Sequence, residues 1–380
     1  MAKKKRFKPY EKKKMMERAV YGSYDYIDLD KRGHKKKKRL LRKAVEHIQL
    51  EKDMTVAELV EAMAGMSIQA RNVGKCAQVL KNMYKDKVRP TVFLGLAGPL
   101  IAAGLRRVIR DLIAKNAVDV VVSTGAIIYQ DVYAALGHGH FIGSPNADDP
   151  VLRELRIDRI YDTYIDEEKV WRTDQFCGEV ADKMPPGAYS SRAYLEHLAD
   201  KIKDEGSILY QCRKLGVPVF VPALNDSSIG IGLTEHRVRA EKAGKKGVII
   251  DAIRDNLEIV QIVVKSPKTA AFYVAGGVPK NYINDSIVMG YIYGQERGHD
   301  YAIQITTAVT ADGGLSSSTL SEGRSWGKIN KKANYAMAWV EPSVSLPLLA
   351  GYIFGKQLTK NRPRLKFEWE KDKLKCLKTI

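Results

Sequence analysis

The sequence predicts an α/β fold in which a doubly wound, mostly parallel sheet is covered by helices on both faces. Short β-branched runs are continuous in their hydrophobicity, as in strands that are buried on both faces. Amphipathic helical stretches separate these runs, which favours parallel strands joined by helices. The predicted strands are 90–94, 118–122, 217–221, 248–251, 270–274, 302–306 and 336–340.

Helices are predicted before and between these strands. Apolar residues recur at helical spacing from about 55 to 84, and Thr55 with Glu58 forms a potential capping box. Pro99 suits the first turn of a helix over 99–115. The segment from about 141 to 214 is rich in charge and helix signals, and we interpret it as a helical insertion on the same core. Other helices are predicted from about 127 and over 252–265, 282–293 and 346–357.

The charge is concentrated at the two ends of the chain. The 380 residues are 45% hydrophobic and 28% charged, which is typical of a globular protein, and the net charge is +19. Most of this charge lies in 1–43 and 356–380, so we predict a basic N-terminal extension, a single α/β domain over 44–355 and a basic C-terminal tail. Solvated ends are the favoured interpretation, which makes nucleic acid an unlikely partner.

The sequence lacks the features of membrane-spanning, secreted, disulfide-bonded and zinc-binding proteins. No apolar stretch is long enough for a spanning helix, and the N-terminus has no apolar signal-peptide core, so we expect a cytoplasmic protein without a membrane partner. The four cysteines are far apart, with no C-x-x-C and no Cys/His cluster. We therefore expect reduced thiols and no metal site.

Small and polar residues follow six of the predicted strands. Ligands of doubly wound sheets bind beyond the carboxyl ends of the strands, where small residues let a ligand approach the backbone. Together these turns indicate a nucleotide, although each alone is weak and the G-x-G-x-x-G pattern is absent. They are 95–98, 123–126, 225–228, 276–278, 307–308 and 341–343.

The segment 312–328 has the composition of an active-site loop. It is polar and glycine-rich and ends in Trp326, Gly327 and Lys328. A lysine beside a tryptophan, in an apolar setting, can lose its proton and become an amine nucleophile that forms imines. An ordinary surface lysine beside a packing tryptophan is the alternative.

The residues 325–329, Ser-Trp-Gly-Lys-Ile, resemble the active-site signature of the deoxyhypusine synthase family. The similarity runs from about Phe93 to Leu349 and includes 93–95, 217–220, 222–224, 312–313 and 347–349 in the same order. It implies an NAD-dependent transferase that moves a 4-aminobutyl group from spermidine to a lysine of a translation factor, the first step towards hypusine. It also implies that Lys328 forms the enzyme imine, and that the protein is a homotetramer with sites at subunit interfaces. The basic N-terminus would suit a segment that covers a neighbouring site, or an arm that docks an acidic partner.

The resemblance assigns a cofactor site and implies that NAD binds with altered contacts. Gly98, Pro99 and Ala102 stand where the family has Ser, Asn and Ser. Gln130 replaces a Glu that binds ribose, and Glu341 replaces an Asp. The assigned cofactor residues are Thr124, Gly125, Asp226, Gly276, Thr307, Ala308, Asp312 and Glu341.

The polyamine side departs further from the family. Glu322, Trp326 and Lys328 are present, whereas Ile231 and Leu315 replace two Asp residues that hold polyamine nitrogens. Losing two carboxylates is a large electrostatic change for a multiply charged substrate, and we expect weaker use of spermidine. Asn281 replaces a His and cannot transfer a proton as an imidazole does. Gly313 and Gly314 are also assigned to substrate binding, and Glu235, Asp285 and Asp300 are carboxylates that could compensate.

Three functions remain open at this point. The first is aminobutyl transfer to a protein lysine. The second is transfer to a free diamine such as putrescine, which would give homospermidine, or use of another donor amine. The third is an NAD-binding interaction module with reduced catalysis. The presence of Glu322, Trp326 and Lys328 favours an imine-forming enzyme over the third.

Overall fold

A computed structural model of the chain describes residues 30–311, 313 and 318–380. The described residues fall into two units, of which the first ends at Glu46 and the second runs from His47 to Ile380. The first unit contains helix α1, Lys31–Leu40, which has Asp30 as its N-cap and exposes nearly all its side chains. Asp312, Gly314 and Leu315 of the predicted site lie outside the described residues.

The second unit alternates strands and helices as the sequence predicts. Its helices are α2 Val56–Met63, α3 Ile68–Lys85, α4 Arg106–Ala114, α5 Gly125–Ala135, α6 Asp149–Glu154, α7 Glu167–Asp182, α8 Ser191–Ala199, α9 Ile208–Leu215, α10 Ser228–Lys242, α11 Ala252–Lys265, α12 Gly277–Val288 and α13 Pro342–Gly355. Short 3₁₀ helices span Met289–Tyr293 and Glu322–Arg324. Its strands are β1 Thr91–Leu96, β2 Val120–Ser123, β3 Phe141–Ile142, β4 Ile157–Ile160, β5 Thr163–Asp166, β6 Gly187–Tyr189, β7 Val219–Phe220, β8 Val248–Ile250, β9 Thr269–Val274, β10 His299–Ile305, β11 Ile329–Ala338, β12 Leu365–Glu370 and β13 Lys373–Thr379.

Six of these strands form one parallel sheet in the order β7-β2-β1-β9-β10-β11. Numbered along the chain, this order is 3-2-1-4-5-6, which is the order found in dinucleotide-binding folds. The connections reverse direction between β1 and β9, and the crevice at such a point is where these folds bind their ligand. The predicted α/β, mostly parallel fold is confirmed.

Helices cover both faces of the sheet. Successive residues of a strand point to opposite faces, so each strand contributes side chains to two cores. Val92, Leu94 and Leu96 of β1 belong to one apolar core, whereas Phe93 belongs to a second core on the other face. The second core also contains Ile283 of α12. This face carries the helix that positions the candidate site.

The structure departs from the predicted strands and helices in several places. The strand predicted at 248–251 forms β8, but it pairs with β6 in a separate two-stranded sheet. The helix predicted from Pro99 begins at Arg106, because Gly98 and Gly104 have positive φ angles that interrupt a helix. The insertion 141–214 contains helices α6–α9, and it also holds a small antiparallel sheet in the order β3-β5-β4.

The C-terminal segment 356–380 is folded, so its interpretation as a solvated tail is wrong. Strands β12 and β13 pair as an antiparallel hairpin, and Leu374 is buried in the second core. Arg362 forms a salt bridge of 2.5 Å with the buried Asp119, which also pairs with Arg89. The apolar residues that alternate with lysines in this hairpin explain how a basic segment packs on the body.

Candidate active site

The crevice between β1 and β9 is built from glycines and backbone. Gly98, after β1, has φ +87°, and a Cβ at this position would meet no atom within 4 Å. Gly277, after β9, has φ +62°, and a Cβ there would lie 3.7 Å from the Cβ of Ala97. The two loops are therefore adjacent, and an open space lies beside the Gly98 backbone. This arrangement fits a dinucleotide, which needs close approach to the backbone at this point.

The loops after β2 and β7 meet beside this crevice. A Cβ on Gly125 would lie 2.3 Å from the Ser227 Oγ, so only glycine fits against that loop. No side-chain oxygen caps helix α5 at Thr124, which leaves the helix terminus as a potential anion site. Thr124, Gly125 and Asp226 thus lie in loops that touch.

The remaining described cofactor residues lie along the same edge of the sheet. Thr307 and Ala308 follow β10, and the Ala308 N–H donates to the Thr306 Oγ1 at 3.1 Å. Glu341 is the N-cap of α13, where its Oε2 accepts a hydrogen bond of 2.7 Å from the Ser343 N–H. This carboxylate therefore has a structural role besides its assigned one.

Lys328 is held by its backbone between a turn and a strand. Its N–H donates to the Gly323 carbonyl at 2.9 Å, and its carbonyl accepts from the His299 N–H at 3.0 Å. Gly327 has φ +71°, a conformation that favours glycine. The Lys328 side chain is buried and its Nζ lies 5.6 Å from the centre of the Trp326 ring, a cation–π arrangement. Trp326 itself is 66% exposed.

Two side chains of α12 contact the Lys328 amine. The Nζ lies 3.2 Å from the Asp285 Oδ1 and 3.4 Å from the Asn281 Oδ1. The Asn281 amide donates to the other oxygen of Asp285 at 2.8 Å. Asp285 is therefore a carboxylate of this group, whereas Glu235 pairs with Arg239 and Asp300 accepts from the Thr269 N–H.

The rotation of α12 follows from its buried side. Ile283 and Ile287 pack in the core, and the Tyr273 hydroxyl donates to the Asn284 Oδ1 at 2.7 Å with both groups buried. Residues 281 and 285 are one turn apart and share the opposite face of the helix. The core therefore fixes the direction in which the amide and the carboxylate point.

The Glu322 carboxylate accepts a hydrogen bond within its own turn. Its Oε2 accepts from the Thr319 N–H at 2.7 Å, and its N–H donates to the Thr319 Oγ1 at 3.0 Å. These hydrogen bonds from Thr319 lower the pKa of Glu322 below its usual range. The carboxylate thus shapes the turn that leads to Lys328.

Lys280 is a second buried lysine beside this group, and sequence reasoning missed it. Its side chain is 1% exposed, and its Nζ donates to the Ser318 carbonyl. Burial lowers its pKa to about 8, and the positive charge of Lys328 adds to the shift. It stands next to Asn281 in the sequence, but a single lysine in a helical pattern carries no signal that it points inward.

Two open clefts border Lys328, Trp326, Asn281 and Asp285, which we call the Lys328 group. The first, of ≈ 650 Å³, runs along α12 and is lined by Gly277, Asn281 and Asp285 among others. The second, of ≈ 740 Å³, is lined by Trp326 and by charged side chains. These charged residues are Arg297, Arg324, Lys331, Lys332 and Glu296.

The contacts of the Lys328 group do not reach the edge of the sheet that carries the assigned cofactor residues, which we call the cofactor edge. Among residues 30–311, 313 and 318–380, no hydrogen bond or ion pair joins Lys328, Asn281 or Asp285 to an assigned cofactor residue. The first cleft is lined both by Gly277, which adjoins the assigned Gly276, and by Asp285.

The described part of the chain lacks a metal-binding cluster and a helix that could span a membrane. It contains no group of three or more His, Cys, Asp or Glu side chains that could hold a metal ion. None of its helices combines the length and the apolar character needed to cross a membrane. The four cysteines are free, and three of them are buried.

Comparisons with known proteins agree with the sequence resemblance. The family model of deoxyhypusine synthase matches residues 58–353. A deoxyhypusine synthase-like protein of Chlorobaculum parvum is 43% identical over 334 residues, which cover 86% of this chain and 94% of the relative. A Methanosarcina acetivorans protein named "Probable deoxyhypusine synthase 2" is 40% identical over 324 residues, or 84% of this chain and 92% of the relative. A crystal structure from Entamoeba histolytica, described as "a putative deoxyhypusine synthase", matches 87% of this chain and 100% of that one with a TM-score of 0.58 and 18% identity, which shows a common fold.

Proposed function

This chain belongs to the deoxyhypusine synthase family, and we propose on that premise that it is an NAD-dependent transferase. The transferred group is a 4-aminobutyl group, the donor is spermidine or a related polyamine, and the acceptor is an amine. The observation that carries the proposal is the buried Lys328 amine, which lies beside the Trp326 ring and opposite Asn281 and Asp285.

Lys328 is the nucleophile of the proposed reaction. NAD held by residues such as Thr124, Gly125 and Asp226 would supply a hydride acceptor for oxidation of the donor amine to an imine and a hydride donor for reduction of the product imine. The Lys328 amine attacks the imine carbon, the bond to diaminopropane breaks, and the butyl chain remains on Lys328 as an imine. The acceptor amine then displaces Lys328. Trp326 offers its ring to the cationic chain throughout.

We further propose that a second copy of the chain completes the site. The Lys328 group and the cofactor edge have no direct bond within the described part of one chain. Trp326, Val288 and Tyr291 line the second cleft and are exposed. A homotetramer with active sites at subunit interfaces, as the family resemblance implies, would cover these side chains and bring a cofactor edge to each Lys328.

The second cleft favours a protein acceptor over a free diamine. Four basic side chains and one acidic side chain line it next to Trp326. Positive potential repels a small dication and attracts an acidic protein surface that carries the acceptor lysine.

Trapping of the imine tests the proposed function. The protein is incubated with NAD and a panel of amines, reduced with borohydride, and digested for mass spectrometry. We expect an aminobutyl adduct on Lys328 with spermidine or a relative, and its loss in Lys328→Ala with NAD binding retained. Lys246→Ala is the matched control, because Lys246 is an exposed lysine that lines neither of the two clefts. Undiminished transfer by Lys328→Ala would refute the mechanism.

A further inference from the structure

The Lys328 amine has an anionic partner that opposes its role as a nucleophile. Its Nζ lies 3.2 Å from the Asp285 Oδ1, which is the geometry of an ammonium–carboxylate ion pair. A carboxylate at this distance stabilises the charged form of the amine. Imine formation requires the neutral form. The resting arrangement is therefore an ion pair that must break before the Lys328 amine can attack.

Asp285 is placed so that a second cation can reach it. The Asp285 side chain is 48% exposed, whereas the Lys328 side chain is 8% exposed. Asp285 lines the open cleft along α12, which has room for an alkyl amine chain. Lys328 approaches the carboxylate from the protein interior, and a solute would approach it from the cleft.

Neighbouring groups fix the orientation of the Asp285 carboxylate. The Asn281 amide binds the Oδ2 of Asp285 at 2.8 Å, so the Oδ1 stays directed at Lys328. The core contacts of α12 fix both residues one turn apart. Lys280 adds a second buried amine, whose pKa of about 8 reflects burial first and then the charge of Lys328. The Lys280 amine is near enough to Lys328 for the two positive charges to repel each other.

We propose that Asp285 exchanges partners: it pairs with the Lys328 ammonium in the resting enzyme and with an ammonium group of the incoming polyamine when substrate enters. This inference rests on the proposed function. The arriving cation replaces the charge of Lys328, whose proton passes to water in the open cleft, so the net charge around Asp285 is unchanged. The substrate thereby activates its own nucleophile, and Asp285 is the residue that selects a cationic donor.

The test uses a neutral aldehyde, so that it does not depend on NAD or on turnover. Butanal forms an imine with a neutral lysine amine, and cyanoborohydride traps it for mass spectrometry of the Lys328 peptide. In the wild-type protein at pH 7.5, N,N,N′,N′-tetramethyl-1,3-diaminopropane, a tertiary diamine that cannot form an imine with the aldehyde, should raise the rate of Lys328 labelling about three- to tenfold, as expected from removing one partly exposed ion pair. Asp285→Asn should be labelled faster without the diamine by a similar factor and should not respond to it.

Control variants separate the possible outcomes. Glu241→Gln removes an exposed carboxylate of α10 that pairs with Arg237, and it should behave as wild type. Asp285→Glu keeps a carboxylate and should recover part of the diamine response, which a merely structural role of Asp285 would not predict. Circular dichroism checks that each variant is folded.

The possible outcomes distinguish failure of the partner exchange from failure of the proposed function. Slower labelling with diamine in both wild type and Asp285→Asn would mean that the diamine blocks the cleft, and it would overturn the exchange. Equal labelling of wild type and Asp285→Asn without diamine would also overturn it. An absence of Lys328 labelling in every protein would instead contradict Lys328 as the nucleophile, and therefore the proposed function itself.

Discussion

The buried amine of Lys280 should give the protein a specific dependence of stability on pH. Its pKa of about 8 in the folded state lies below the ordinary value of 10.5, because burial penalises the charged form. The unfolded chain therefore binds the proton more tightly than the folded protein does. Stability rises with pH wherever the unfolded state binds more protons, so this lysine lowers stability below pH 8, and the penalty is relieved as the pH rises towards 10.5.

The size of the effect follows from the two pKa values of Lys280. Linkage gives a gain of about 2 kcal/mol in the free energy of unfolding between pH 7 and pH 9.5 from this one group. Lys280→Met keeps a long apolar side chain and removes the titrating amine. We expect the variant to lack the gain, so that the difference between wild type and variant changes by about 2 kcal/mol over this range.

Urea unfolding of both proteins at pH 7 and pH 9.5 measures this difference directly. Subtracting variant from wild type cancels the other groups that titrate over the range. Lys332→Met is the control, since Lys332 is exposed and its removal should leave the pH dependence unchanged. The same pH dependence in wild type and Lys280→Met would show that the Lys280 amine is solvated, and the reasoning would fail.

Two further predictions concern stability and the turn before Lys328. Asp119→Asn should lower the free energy of unfolding by about 3–5 kcal/mol, because two arginines lose their buried carboxylate; urea unfolding measures it, and Asp111→Asn at a more exposed pair is the control. A loss below 1 kcal/mol would contradict this view of the pair. Gly327→Ala should cost about 1–2 kcal/mol and slow borohydride trapping at Lys328, because φ is +71° there and a Cβ would meet no other atom. Gly187→Ala, which has no positive φ, is its control, and equal trapping rates would argue against strain at this turn.

The sheet was largely predictable because buried parallel strands leave a continuous hydrophobic signal. Six of the seven predicted strands overlap strands of the parallel sheet, and β8 differs only in its partner, which hydrophobicity does not encode. The strand order was not predicted, since it depends on how helices pack on each face. The start of α12 was also missed: the structure begins this helix at Gly277, five residues before the predicted Tyr282.

Site residues could be predicted from the sequence where a motif identifies them. They could not be predicted where their position depends on how a helix or loop packs. Lys328 and Trp326 could be assigned from a rare five-residue pattern. Asp285 was one of three carboxylates that could not be ranked, because its position depends on the rotation of α12. Lys280 carried no signal at all, since burial of a lysine depends on the loop that closes over it.

The contacts of Arg362 have a consequence for the synthesis of the chain. This residue binds the Asp119 carboxylate and the Pro90 carbonyl, 243 and 272 residues earlier in the sequence. A ribosome releases the chain from its N-terminus, so β1 and β2 emerge long before the arginine that completes their amino-terminal end. The Asp119 carboxylate therefore stays without this partner until 243 further residues have been made.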